Sequence, residues 1–462
     1  MNRGEGSQSR LSVWLGRYLC ALAWVLPFVV IYAFVRPMVG QSYFLQAGVC
    51  LGLVVAGGAW LLGAWAPSVR LTYPLALLPL NILLLAGSVL HSRDPQYSLA
   101  QSLLPLCAAG FFLLLVMQAG RERLLRRLAL GLCIVGPLLA LHGVLQHFGI
   151  EFLPYSDVVQ KNRVIATIGH PNYLGSVLGP LLFVMVGLIL AHPRRAWAWA
   201  APLGVLLMLV CLALARTRAI WLGLAVGFIL FCVVGVQYCR AHRAGLRRML
   251  LLIAGGVAQL AAIIVLLTLI LPHISDLNWK ERLSSDKEIK SRLFYWDTAI
   301  RLGHARPVFG QGLGMFNAKF WETALERYKS PSGPYYSDIL PSIAGVMPGH
   351  VHNEYLEIYC EQGLTGLAGV LALLLFFLWF GYRALLAEPD LTRGFELLGV
   401  WAGLVVSVID ALFGFPWRLP VSLMVVAFLL ARLYDLLYPQ VERVAAANAA
   451  SQPVPAAENG TA

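Results

Sequence analysis

Histidine is concentrated where a mostly apolar chain turns polar. Gly349-His350-Val351-His352-Asn353-Glu354-Tyr355-Leu356-Glu357 closes a polar stretch, 272–362, that holds ten of the 35 Lys and Arg and four of the ten His. Imidazole is the side chain best suited to general-base work near neutral pH. His352, followed by Asn353 and a Tyr-Leu-Glu helix start, is the candidate base, with His350 two positions before it. The plainer reading of a loop histidine is a solvated side chain. A His-x-His pair with Glu354, Glu357 or His304 has ligand types for a metal, but the spacing matches no closed-site pattern, and neither a metal nor another cofactor is expected. Asn353 is also placed to cap the helix that follows.

Arginine supplies the second chemistry, because its planar, permanently charged fork gives paired hydrogen bonds to phosphate. Four outward-facing segments converge in composition: Lys161-Asn162-Arg163 through His170-Pro171-Asn172, Arg216-Thr217-Arg218, Arg292-x-x-x-Trp296 with the glycine turn, and His350-Val351-His352-Asn353. Several arginines at an outer lipid interface would suit a diphosphate on a lipid carrier. Arg218 and Arg292 are the candidates for that task. Arg163, Asn172, Trp296, His350, Asn353 and Asp410 are candidate substrate contacts. Arg36, Arg93 and Arg216 read as interfacial side chains snorkelling to water. Asp410, ahead of Phe413-Gly414-Phe415-Pro416, reads equally as a catalytic acid or a structural partner for an arginine. Gly310-Gln311-Gly312-Leu313-Gly314 superficially resembles a dinucleotide loop, yet it lacks the strand-turn-helix context and reads as a tight turn.

These residues must be positioned by apolar helices. Hydrophobic residues make up 59% of the 462 and charged ones 13%, and the mean hydropathy is +0.72. A span needs roughly 20 apolar residues, and twelve such runs occur: about 12–35, 43–65, 71–90, 101–118, 128–147, 173–191, 198–215, 219–237, 249–271, 363–381, 395–413 and 419–438. Their length, without period-two alternation, excludes a barrel. An all-α, polytopic integral membrane protein is expected, with one membrane domain over 1–440 and a low-complexity, disordered cytoplasmic tail over 441–462. The arginine clusters at 3–17, 121–127, 194–195 and 240–248 fall on one side of a twelve-span chain, which makes that side and both termini cytoplasmic. The stretch 272–362 then lies outside. Within it, 284–305 reads as an amphipathic helix, 307–314 as a break and 330–342 as a mobile link.

The net charge of +12 does not point to nucleic acid, because about half of the basic residues are positive-inside anchors and none forms an aromatic-basic repeat. The first run is too long for a cleaved leader and reads as an anchor. The eight cysteines sit in spans or at their ends and read as small packing residues. No internal repeat is visible, which weakens a transporter reading.

Taken together, Gly-His-Pro-Asn (169–172), Thr-Arg-Ala (217–219), Arg-x-x-x-Trp (292–296), Pro-Val-Phe-Gly-Gln-Gly-Leu-Gly-x-Phe (307–316), His-x-His-Asn-x-Tyr-Leu-Glu (350–357) and Glu-Gln-Gly-Leu-Thr-Gly (361–366) resemble the bacterial O-antigen ligase and O-antigen polymerase superfamily. The resemblance implies a GT-C-like membrane glycosyltransferase in the bacterial inner membrane with its site facing the periplasm. It implies metal-independent, inverting transfer of a glycan from undecaprenyl diphosphate to an acceptor hydroxyl. By the same resemblance Arg218 and Arg292 match essential arginines and His352 an essential histidine. The acceptor would be lipid A core for a ligase, another lipid-linked glycan for a polymerase, or protein Ser/Thr for an oligosaccharyltransferase; ligase is the preferred expectation. A flippase or exporter of lipid-linked glycans is the alternative outside the class. One departure is Ala219, where the family usually has glycine.

Overall fold

A computed structural model of the protein describes residues 10–29, 37–63, 65, 73–118, 121–151, 163–195, 197–270, 286–328 and 348–450. Among them there is no strand. In chain order the helices are α1 (Arg10–Val25), α2 (Pro37–Leu61), α3 (Tyr73–Leu90), α4 (Pro95–Val116), α5 (Arg121–His147), α6 (Pro171–Ala191), α7 (Trp197–Ala215), α8 (Arg218–Ala241), α9 (Leu246–Ile270), α10 (Asp286–Ala305), α11 (Met315–Tyr328), α12 (Glu354–Ala387), α13 (Leu391–Asp410) and α14 (Pro420–Ala450).

All but α10 and α11 coincide with the twelve apolar runs. Among the described residues, nine helices are long and apolar enough to cross a membrane, and Leu75–Leu90 and Ala200–Ala215 are shorter apolar helices. The remaining one, α9, is 25 residues long. The described residues are thus all-helical and of multi-pass character, with nine helices both long and apolar enough to span where about twelve spans were expected. α14 continues to Ala450, through the first ten residues of the tail expected from 441; 451–462 and the expected mobile link at 330–342 lie outside the described residues. All eight cysteines are free, and six of them are buried.

The centre of the bundle is α13 laid against α6 and α8. Small residues make that approach possible: a Cβ on Gly187 would lie 2.8 Å from the Gly399 Cα, and one on Gly403 would lie 2.9 Å from the Pro180 carbonyl oxygen. Close backbone packing of this kind is how helices associate where no hydrophobic force separates protein from lipid. One end of the bundle is locked by ion pairs. Arg432, 1% exposed, joins Glu396 and Asp435; Arg121 reaches Asp435 at 3.0 Å and Arg126 reaches Glu396 at 3.3 Å. Two arginines read from sequence as charge-bias anchors therefore also pair inside the protein.

At the opposite ends of these helices the functional segments meet. The expected amphipathic helix at 284–305 is α10, and α11, which the sequence reading did not separate, follows it. Between them the glycine turn docks on a kink in α12: the Gln311 N–H donates to the Cys360 carbonyl and the Gly312 N–H to that of Glu361, both at 2.9 Å, and the Leu364 N–H donates to Pro307 at 2.7 Å. Gly310 (φ +70°) and Gly363 (φ +69°) have left-handed backbones, and a Cβ on either would collide with the other segment's backbone at 2.3 and 2.2 Å. The turn is structural, as its sequence suggested, and it fixes α10 and α11 to the entrance of α12.

Candidate active site

The α12 entrance is assembled by its own carboxylates. Asn353 caps the helix, its Oδ1 accepting from the Leu356 N–H at 3.0 Å. Glu357, one turn in, reaches back: Oε1 pairs with His350 Nδ1 at 2.8 Å and Oε2 accepts from the Val351 N–H at 2.8 Å. His352 then takes φ +58°, a left-handed backbone uncommon outside glycine. Such strained conformations persist when their surroundings enforce them, and they cluster at functional sites. The His352 ring is packed between two aromatics, nearly parallel to Tyr295 at 6.1 Å and edge-on to Phe415 at 5.1 Å. Burial pushes the Tyr295 phenol above its ordinary pKa, so that neighbour stays neutral.

Phe415 is the hub. Besides His352 it stacks on His350 at 4.1 Å and meets Tyr173, from the α6 entrance, at 5.3 Å. It belongs to the loop between α13 and α14, whose other members bind the remaining segments. The Phe413 carbonyl accepts from Arg292 Nη1 at 3.2 Å, and the Phe413 ring faces Trp296 at 6.5 Å. The i, i+4 spacing puts Arg292 and Trp296 on one face of α10. The Ala411 carbonyl accepts from the Glu354 N–H at 2.8 Å. Buried Asp410, which ends α13, accepts from Ser176 Oγ at 2.5 Å and lies within electrostatic reach of Arg292.

Other expected site residues have structural partners. Arg163 donates to the Ala215 carbonyl at 2.9 Å, closing the C-terminal end of α7, and to Asn172 Oδ1 at 3.0 Å. Arg218 is exposed as the first residue of α8. Its neighbours Thr217 and Ala219 line a water-sized void together with Asn172, Ser176, Asp410 and Phe415. The methyl of Ala219 is therefore accommodated at that wall. Thr217 Oγ1 and Trp296 Nε1 are buried without a hydrogen-bond partner. Arg292, Trp296, Asp410, His350 and His352 are brought together around one loop, Arg163 and Asn172 pair at its edge, and Arg218 adjoins it through its chain neighbours.

Sequence reading missed Phe415 and Arg418. Arg418 is clamped by three carboxylates of α12: Glu361 at 2.6 Å, Glu354 at 3.0 Å and Glu357 at 3.2 Å. The acids are spaced i, i+3, i+7 on a helix entering an apolar run, a face that demands a cation. That demand was the available signal. Phe415 carried none beyond its place in a Phe-Gly-Phe-Pro turn. Glu354 and Glu357, weighed from sequence as metal ligands, are engaged by Arg418 instead. Among the described residues no three His, Cys, Asp or Glu side chains are grouped as a metal site.

Removing one partner from a buried ion pair typically costs about 3–5 kcal/mol. Arg418→Ala is therefore expected to lower the thermal stability of the purified protein severely. A second change, Glu354→Gln, should restore part of the loss; a single variant melting like the parent would show that the clamp contributes nothing.

The sequence model of the O-antigen ligase family matches residues 203–371. That segment, a little over a third of the chain, is similar to the O-antigen ligase family. The matched segment contains Arg218, Arg292, Trp296, His350, His352 and Asn353, whereas Arg163, Asn172 and Asp410 lie outside it. No curated protein matches the chain.

Proposed function

We propose that this protein is a glycosyltransferase of the bacterial inner membrane that moves a glycan from undecaprenyl diphosphate to an acceptor hydroxyl at the periplasmic face, as an O-antigen ligase acting on lipid A core. The observation that carries the reading is the convergence of Arg292, Asp410 and His352 on the Phe413–Phe415 turn. In this scheme the acceptor oxygen attacks the anomeric carbon while His352 takes its proton. The bond from that carbon to the diphosphate oxygen breaks, and Arg292 with Arg218 receives the departing undecaprenyl diphosphate. Attack from the face opposite the leaving group inverts the anomeric centre. Asp410 orients Arg292, Trp296 offers an aromatic wall and an indole N–H to substrate, and Asn172, Arg163, His350 and Asn353 hold the frame. Side-chain charge suffices for the leaving group, so the scheme uses no metal or other cofactor.

The test is transfer by purified protein in proteoliposomes supplied with an undecaprenyl-diphosphate-linked oligosaccharide and lipid A core. The expected result is a covalent glycan–core product with inverted anomeric configuration, formed equally in EDTA. Glycan carried across the bilayer with no bond formed would replace the reading with a flippase. Product requiring a restored divalent ion would overturn the metal-free scheme.

A further inference from the structure

Three cations surround the contact between the glycine turn and the turn that joins α3 to α4. Arg93, read from sequence as snorkelling to water, is exposed in the α3–α4 turn. Arg306, just past α10, donates from Nη1 to the carbonyl of His91, whose ring stacks on Phe309 at 4.4 Å. Lys319, on α11, is only 8% exposed, and its ammonium donates to Gln311 Oε1 at 3.2 Å. The two turns touch directly: Ser98 Oγ donates to the Leu313 carbonyl at 3.0 Å, and a Cβ on Gly312 would strike the Ser92 side chain. Among the described residues, none of the three cations lies within ion-pair distance of a carboxylate. Asp94, beside Arg93, uses its carboxylate to cap α4, accepting from the Tyr97 N–H at 3.0 Å. Burial, and then the charge of Arg93, push the Lys319 ammonium below its ordinary pKa; Arg306 adds to this, and Glu322 opposes it only in part. An anion relieves such a gathering of like charge.

The surface beside these cations is hydrocarbon. Leu90, Val308 and Leu364 are exposed; Leu90 precedes His91, Val308 follows Pro307, and the Leu364 N–H donates to the Pro307 carbonyl. Here α3 ends, α4 begins and the apolar length of α12 starts, so this rim lies where a bilayer meets water. A free phosphate would meet the same cations but leave the three apolar side chains bare. We propose that Arg93, Arg306 and Lys319 bind the phosphate of an anionic phospholipid whose acyl chains lie along Leu90, Val308 and Leu364. Bound there, the phosphate ties the α3–α4 turn to α10 and α11, the two helices outside the apolar runs. The site shares no residue with the Phe413–Phe415 turn, and its lipid is a bilayer component, not a reactant.

The experiment uses the full chain in phosphatidylcholine nanodiscs doped with phosphatidylglycerol that carries a diazirine near the head of one acyl chain. Diazirine-bearing phosphatidylcholine is the neutral control, and labelled peptides are mapped by mass spectrometry. Peptides holding Leu90 and Val308 are expected to take the phosphatidylglycerol probe at least about tenfold over the control, as several cations at an anionic lipid would give. Arg93→Gln and Lys319→Met should each cut that preference about fivefold, the worth of one cation near an anionic lipid surface. Arg240→Gln, in the basic end of α8, should leave it unchanged. Arg93 is exposed, so its variant carries the test even where loss of the buried lysine harms folding. Equal labelling by both probes, or a preference that survives Arg93→Gln, would mean that these cations only snorkel, and would overturn the proposal. Displacement of the probe by inorganic phosphate, and not by chloride of equal ionic strength, would make the ligand a free phosphate and overturn the lipid. No glycan transfer enters the readout, so this test stands or falls apart from the function proposed above.

Discussion

His352→Ala is expected to keep binding the lipid-linked donor while transfer falls by about 10²–10⁴, the usual worth of a positioned general base. Its surroundings support this role. The ring is held between Tyr295 and Phe415, and its backbone is held left-handed by a segment that Glu357 grips at His350 and Val351. Alanine at φ +58° adds backbone strain to the loss of the imidazole. His352→Asn, which tolerates that conformation better, separates the two effects: it should recover stability and not rate. His350→Ala, which removes a partner of Glu357 and not the base, should be milder. Binding and turnover must be measured separately on purified protein. If His352→Ala loses donor affinity yet turns over normally at saturating donor, His352 is a phosphate ligand and the base lies elsewhere.

Which parts of this arrangement were legible in sequence follows from the range of the forces involved. Twelve apolar runs became helices because hydrophobicity over 20 residues is a local property. The helix at 284–305 was legible from its three-and-four spacing, and the turn at 307–314 from its glycines. Long-range pairing was not. Nothing local says that the glycine turn packs on Gly363, or that Arg163 spends its guanidinium on the end of α7 and on Asn172. The charge map treated Arg121 and Arg126 as anchors because such counting ignores acids, and Glu396 and Asp435 lie more than 250 residues further along the chain. For the site, the histidines and Arg292 were visible as polar residues in an apolar chain. Phe415 was invisible for the opposite reason: an aromatic in a chain with 21 Phe draws no attention until three rings are found against it.

Arg292→Ala is expected to lower transfer by about 10²–10³ in rate, the loss seen when an oriented donor to developing negative charge is removed. The geometry explains why the effect should fall on turnover. The Phe413 carbonyl takes one Nη1 hydrogen bond, and Asp410, itself held by Ser176, lies within electrostatic reach of Arg292. The fork is thus aimed before substrate arrives, and little reorganisation remains when the diphosphate departs. Arg292→Lys keeps the charge but loses the planar pair of donors, so it should rescue only partly. Asp410→Asn keeps the Ser176 contact and removes a carboxylate charge within reach of Arg292, so under the proposed scheme its rate should fall between the parent and Arg292→Ala, with donor affinity nearly unchanged. Single-turnover transfer with preloaded donor reads these differences without the contribution of binding. An Arg292→Ala protein that is correctly inserted and transfers at the parental rate would remove Arg292 from the leaving-group role and shift that charge to Arg218.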